Sequence, residues 1–282
     1  MIRILTDSAS DILPAEAEQL GVTVIPLNVT LEDGTVLRDG VDMTPTVYYG
    51  VMARCHKLPT TSQPSPELFQ RFFLEAAAAG DEVVGIFLSH ELSGTCQCAR
   101  LAADMANVDN VLFVDSENVC LGESLLVRLA VQLRDTGKTA GQIAATLEHA
   151  KEHLHLVAVI DDLKYLRKGG RISGASALVG SLLQIKPILR GNEEGKIVLF
   201  DKTRGKLRAI ERLVSIYKER AIDLDDLIGI SHGDCPGEAL RLETKLREAG
   251  HRGPILLVPH EPVTGAHVGP GMLSLYFHAV GK

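Results

Sequence analysis

Ser93, Gly94 and Thr95 follow an apolar run, Val83 to Leu88, and precede a stretch rich in Ala and Leu, Cys98 to Met105. The run predicts a buried parallel strand and the stretch a helix, which puts the three residues in a strand-to-helix turn. There the first helical N–H groups lack partners and the helix dipole is positive, so a small anion can be held with help from hydroxyls. Ser93 and Thr95 supply hydroxyls, and Gly94 permits close approach. A lone Ser at a helix start more often only caps it. The second hydroxyl cluster, Pro59-Thr60-Thr61-Ser62-Gln63-Pro64-Ser65-Pro66, shifts the balance toward anion binding.

Other reactive groupings are weaker. Asp7-Ser8-Ala9-Ser10-Asp11 has an aspartate after the first strand but Ala9 where an aspartyl phosphatase needs its second carboxylate, so it reads as a turn and cap, with Ser8 able to face a ligand. His149 and His153 have helical metal spacing without a carboxylate or thiol to complete a set, which favours a solvated helix end. Asp234 beside Cys235 would raise the thiol pKa rather than activate it. Ser93, His267 and Asp115 suggest a hydrolase triad with Ser93 as nucleophile, acting on acyl or phosphate esters, but no G-x-S-x-G elbow is present. Neither a P-loop nor a G-x-G-x-x-G run occurs, so no cofactor and no metal are expected. Two basic knots, Lys168 to Arg171 and Lys202 to Lys206, suggest attraction of an anion or an acidic partner surface.

These groups must be carried by alternating strands and helices. Strands are predicted at Ile2 to Leu5, Val22 to Val29, Val83 to Leu88, Val111 to Val114 and Leu154 to Ile160, with helices between them, which implies βαβ units and mostly parallel sheets. Asp7, Ser8, Asn28, Ser93 and Asp115 then fall at strand ends, where such sheets bind ligands. Glu32 to Thr35 predicts a hairpin turn, and Ser65-Pro66-Glu67 a capped helix start. Further helices are predicted near Ala175 to Leu183, from Lys206 to Arg220 and from Pro236 to Ala249, with strands at Lys186 to Leu189, Lys196 to Phe200, Leu227 to Ser231 and Ile255 to Pro259. The chain closes with Thr264 to Gly271 and a final apolar strand through Val280.

With 282 residues the chain is long enough for two α/β domains, placed at 1–153, carrying the hydroxyls, and 154–282. The 45% hydrophobic content with 23% charged residues describes a globular protein, and mean hydropathy is +0.12. A net charge of −7, 4% aromatics and no Trp disfavour nucleic acid as a partner. The five scattered Cys fit reduced thiols, and the opening Met1 to Asp7 is too quickly charged for a signal peptide, so a cytoplasmic protein is expected.

In order along the chain, Thr6-Asp7-Ser8-Ala9-Ser10-Asp11, Pro59 to Pro66, Leu92-Ser93-Gly94-Thr95, Tyr165 to Ile172, Lys186-Pro187-Ile188 and His267-Val268-Gly269-Pro270-Gly271 resemble the bacterial DegV family of fatty-acid-binding proteins. The resemblance implies two α/β domains with a long acyl chain in a tunnel within or between them. It implies that Thr61 and Ser93 bind the carboxylate, with Asn28, Gly94, Thr95, Arg171 and His267 in the head-group network. It further implies a non-catalytic role: presenting the carboxylate to a separate ATP-dependent fatty acid kinase, with Arg204 at the partner or phosphoryl-transfer surface, and acyl phosphate passing to phospholipid metabolism. Transient contact with a membrane surface fits that role. Two positions depart from the family pattern, His90 where Ser is usual and Cys96 where an aromatic is commoner. An acyl tail of some fifteen methylenes would gain on the order of 12 kcal/mol from burial before ordering costs, and its carboxylate would need hydrogen bonds.

Overall fold

The computed structural model describes residues 1–172 and 184–281, so the helix expected at Ala175 to Leu183 lies outside the described residues. The chain begins with β1 (Ile2–Asp7), α1 (Pro14–Leu20), β2 (Val22–Ile25), β3 (Asn28–Thr30), β4 (Val36–Arg38), α2 (Pro45–Met52), β5 (Thr60–Ser62), α3 (Pro66–Ala78), β6 (Glu82–Phe87), α4 (Thr95–Ala106), β7 (Val111–Asp115), α5 (Leu121–Asp135) and α6 (Ala140–Ala150). It continues with β8 (Leu154–Val159), α7 (Lys164–Gly169), β9 (Ile185–Gly191), β10 (Ile197–Arg204), α8 (Lys206–Arg220), β11 (Ile228–His232), α9 (Pro236–Glu248), β12 (Ile255–Pro259), α10 (Pro262–Val268) and β13 (Leu273–His278).

The first sheet, in the order β2-β1-β6-β7, is parallel throughout. Strands from Leu154 onward form a second sheet, β10-β9-β8-β13-β11-β12, in which only β11 and β12 run parallel. The expectation of mostly parallel sheets is therefore corrected for the second one. β9 and β10 form a hairpin, and β13 enters the sheet between β8 and β11, which reverses the local direction. The strand expected over Val22 to Val29 is also divided. Pro26 has no N–H to continue the ladder, so β2 stays in the parallel sheet while β3 joins a small antiparallel sheet with β4 and β5.

The layers follow from side-chain alternation. Leu154, Leu156 and Ala158 on β8 face one core with Ile4, Val84 and Leu126, whereas Val157 and Val159 face another, under α8 and α9. The apolar helix α5 lies between the sheets, touching β1 and β6 on one side and β8, β11 and β13 on the other. α3 and α4 cover the far face of the first sheet around Phe69, Phe73 and Phe87. None of the described helices is long and apolar enough to cross a membrane.

Candidate functional site

The first sheet reverses its strand order between β1 and β6, and the loops after these strands diverge there. Ala9 follows β1, and Leu88, Leu92 and Ser93 follow β6. All four border a cavity of about 90 Å³ that runs toward the second sheet. Its deep wall is mainly apolar, with Leu156 and Ala158 of β8, Leu189 of β9, Met272 before β13 and Tyr276 on it. Its polar lining includes Thr61, Ser62, Gln63, Ser93, Arg171 and His267, with Arg190 and Thr264 as well. Thus Thr61 and Ser93, thirty-two residues apart in sequence, share one rim.

Each rim residue has a local reason for its position. Thr61 sits on β5, opposite Val29 in the antiparallel ladder, and its Oγ1 lies 2.7 Å from Nε2 of His267. His267 is on α10, a helix not assigned from the sequence. Two buried carboxylates from the first half of the chain hold the start of that helix: Asp11 accepts from the Glu261 N–H at 3.2 Å and Asp39 from the Val263 N–H at 2.9 Å. Pro262 in its first turn and Gly269 just past its end are the local signals that mark it, whereas the caps from Asp11 and Asp39 leave none in the local sequence. Burial, and secondarily Arg171, push the His267 pKa down to about 4, so the imidazole is neutral at physiological pH.

The Ser93 turn differs in detail from the sequence reading. Gly94, not Ser93, is the N-cap of α4, and no side chain caps the helix. Ser93 Oγ instead lies 2.9 Å from Oγ1 of the buried Thr95. Gly94 leaves room for the Gln63 side chain, whose Oε1 would lie 2.4 Å from a Cβ there and would have to swing aside. Arg171 Nε donates to the Leu92 carbonyl at 2.9 Å, and its guanidinium also reaches the Gly169 carbonyl, so the cation is tied to the turn that carries Ser93.

The remaining candidates are placed differently. Asn28 Nδ2 contacts the Gln63 carbonyl at 3.4 Å from the strand next to Thr61 and is not among the cavity walls. Thr95 and Gly94 support Ser93 from behind. Arg204 is exposed at the end of β10, with Nε 3.4 Å from Oε1 of Gln184, away from the cavity walls. Ser8 is buried and its Oγ accepts from the Leu27 N–H at 3.0 Å, so its bond goes to the backbone. The imagined triad is not assembled: Ser93 bonds Thr95, His267 bonds Thr61, and Asp115 bonds His90. Cys235 is buried, and desolvation pushes its thiol up to about 11, as expected for an inert cysteine.

Ser62 and Gln63 belong to the second hydroxyl cluster but, unlike Thr61, have no site role from sequence, and the deep wall has none either. The period-2 pattern of β8 carries a usable signal for Leu156 and Ala158, but only the fold shows which face meets the cavity.

A hydroxyl-rich, cation-bearing mouth on an aliphatic cavity coincides with a family match over residues 1–279 to the model described as "Uncharacterised protein, DegV family". The chain belongs to the DegV family. A DegV domain-containing protein of Listeria monocytogenes is 35% identical over 280 residues, covering 97% of each chain. One from Caldanaerobacter subterraneus is 32% identical, with 98% of each covered. Among solved structures, a DegV family protein from Thermus thermophilus described by its fatty acid binding superposes with a TM-score of 0.90 at 31% identity, covering 99% of each chain. DegV of Bacillus subtilis, described as a fatty acid binding protein, gives 0.86 at 30% identity, again covering 99% of each.

One DegV-family contact is testable by packing alone. A Cβ at Gly169 would come within 2.2 Å of His267 Nδ1, an atom that is buried and has no hydrogen-bond partner among the described residues. Gly169→Ala is therefore expected to displace the imidazole, break its bond to Thr61 and lower thermal stability by about 1–3 kcal/mol. An unchanged melting temperature together with an unperturbed His267 ring signal in NMR would refute this.

Proposed function

We propose that this chain binds a long-chain fatty acid, with the tail in the cavity between the two sheets and the carboxylate at Thr61 and Ser93. On this reading residues 1–153 and 154–282 act as two units that enclose the ligand. The observation that carries the reading is the rim itself, where two hydroxyls and a guanidinium meet at the mouth of an aliphatic cavity. Neutral His267, with its hydrogen on Nε2, donates to Thr61 Oγ1, which leaves the threonine's own hydrogen for the carboxylate. Thr95 can donate to Ser93 in the same way. Arg171 adds charge, which a carboxylate entering a low-dielectric site requires. The description of the Thermus and Bacillus relatives as fatty acid binding supports the ligand class.

The protein serves as carrier, with no cofactor, and presents the head group to a separate ATP-dependent fatty acid kinase. The carboxylate is suited to that hand-over because it stays at the rim while the tail is enclosed. Arg204, exposed on β10, is the contact offered to the kinase, and brief docking at a membrane surface delivers the acid. Denaturing mass spectrometry of the purified protein tests the core of the proposal: a stoichiometric long-chain acid is expected, and a chain that neither carries nor takes up one would end it. Ser93→Ala and Thr61→Val are each expected to weaken binding about tenfold or more, since a hydrogen bond to a charged group contributes about 1.5–3 kcal/mol. Without ligand, Ser93→Ala should melt with the parent, whereas Thr61→Val, which unpartners His267 Nε2, should melt lower. Retention unchanged by Ser93→Ala would remove that residue from the site.

A further inference from the structure

We propose that Asp11, Cys120 and His260 form a binding site for a divalent transition ion of the zinc type, distinct from the carboxylate rim. The three side chains are buried, and one donor atom from each (carboxylate oxygen, Sγ, ring nitrogen) lies within 4.8 Å of the other two. They come from three places: Asp11 just after β1, Cys120 at the N-cap of α5, and His260 after β12. Zinc bonds of about 2.0–2.3 Å in tetrahedral geometry set donors roughly 3.3–3.7 Å apart. Asp11 Oδ2 and His260 Nδ1 stand 3.2 Å apart, and Cys120 Sγ, within 4.8 Å of both, makes a weak 3.6 Å contact to Thr264 Oγ1 that an ion would replace.

The hydrogen-bond accounting points the same way. Ser274 Oγ lies 3.2 Å from the Ser231 carbonyl and 3.4 Å from His260 Nε2. When the hydroxyl donates to that carbonyl, Nε2 carries the imidazole hydrogen and the Nδ1 lone pair, beside Asp11 Oδ2, is available to an ion. The supporting contacts are those a metal site requires: Ser274 orients the imidazole, and the Glu261 N–H bonds the other Asp11 oxygen at 3.2 Å. Beside the site the Glu261 carboxylate is buried with both oxygens unpartnered, an arrangement that a neighbouring cation would relieve. Cys120 also borders the cavity, which gives an ion a way in. Binding releases the thiol proton to solvent, and the ion is held by one thiolate, one carboxylate and one neutral imidazole, so the charges of the set balance.

The test uses the full-length protein, stripped with a chelator and titrated with Co²⁺. One equivalent should bind and produce thiolate-to-cobalt absorption in the near ultraviolet, and Zn²⁺ should bleach it. Cys120→Ser should abolish that band, and Cys120→Ser and His260→Gln should each weaken binding about tenfold or more. The inference is overturned if no thiolate band develops at one equivalent. It is equally overturned if Cys120→Ser keeps the band, which would assign it to one of the other cysteines, or if His260→Gln binds cobalt as tightly as the parent, which would leave Asp11 and His260 as a plain proton-sharing pair.

Discussion

Ala158→Phe is expected to lower affinity for a long-chain fatty acid on the order of a hundredfold while the protein stays folded. Ala158 is buried on β8, on the strand face that meets the cavity, between Leu189 and Ser274 in the ladder. A benzyl group there fills space that the acyl tail would occupy. Excluding about four methylenes at ~0.8 kcal/mol each removes about 3 kcal/mol of transfer free energy, which is two decades in the dissociation constant. Because the added ring enters a cavity rather than a filled core, the strain of overpacking is relieved in the ligand-free protein. Titration with acids of decreasing length measures the effect. The loss should shrink as the acid shortens and vanish near octanoate; an equal loss at every length would show that the substitution disturbs the rim and that the tail lies elsewhere.

The second large effect concerns the buried carboxylates that seat α10. Relative to the parent, Asp39→Asn is expected to gain stability as pH rises from about 4 to about 7, by on the order of 3–4 kcal/mol across that window. Asp39 is almost fully buried, and desolvation pushes its pKa up to about 7, with Asp11 and Asp7 nearby adding to the rise. Between the ordinary carboxyl pKa of 3.8 and the raised value, the folded chain holds a proton that the unfolded chain has released. Folding is therefore most favoured below that range and loses stability as pH climbs through it. Asparagine resembles the protonated acid, keeps the acceptor for the Val263 N–H and does not titrate. His267, whose depressed pKa of about 4 acts in the opposite direction, is present in both proteins and cancels in the difference. Chemical denaturation at four or five pH values, with a chelator present, measures it. A difference independent of pH would mean that Asp39 ionises normally in the fold.

Much of the architecture was legible because it is local. The helices at Lys206 to Arg220 and Pro236 to Glu248 have amphipathic spacing and proline starts where they apply, and the strand at Ile255 to Pro259 is a bounded apolar run. The turn at Glu32 to Thr35 has a glycine at φ +86° where the hairpin needs one. The direction of the second sheet was not legible, because strand order is settled by which edge a strand pairs with after the chain has collapsed. α10 was marked locally only by Pro262 and Gly269, and its start is held by Asp11 and Asp39, each more than two hundred residues away.

The site divides in the same way. By itself the sequence determined which groups are available: two hydroxyl clusters, a turn that opens a helix, cations beside glycine, and enough aliphatic residues to bury a tail. Only the tertiary structure decided that Thr61 shares a rim with Ser93, that His267 serves Thr61 rather than Ser93, and that Arg204 stands apart from them. The reason is physical. Residue type and short-range spacing fix what a side chain can donate, accept or bury, but the distance between two such groups depends on the packing of every element between them.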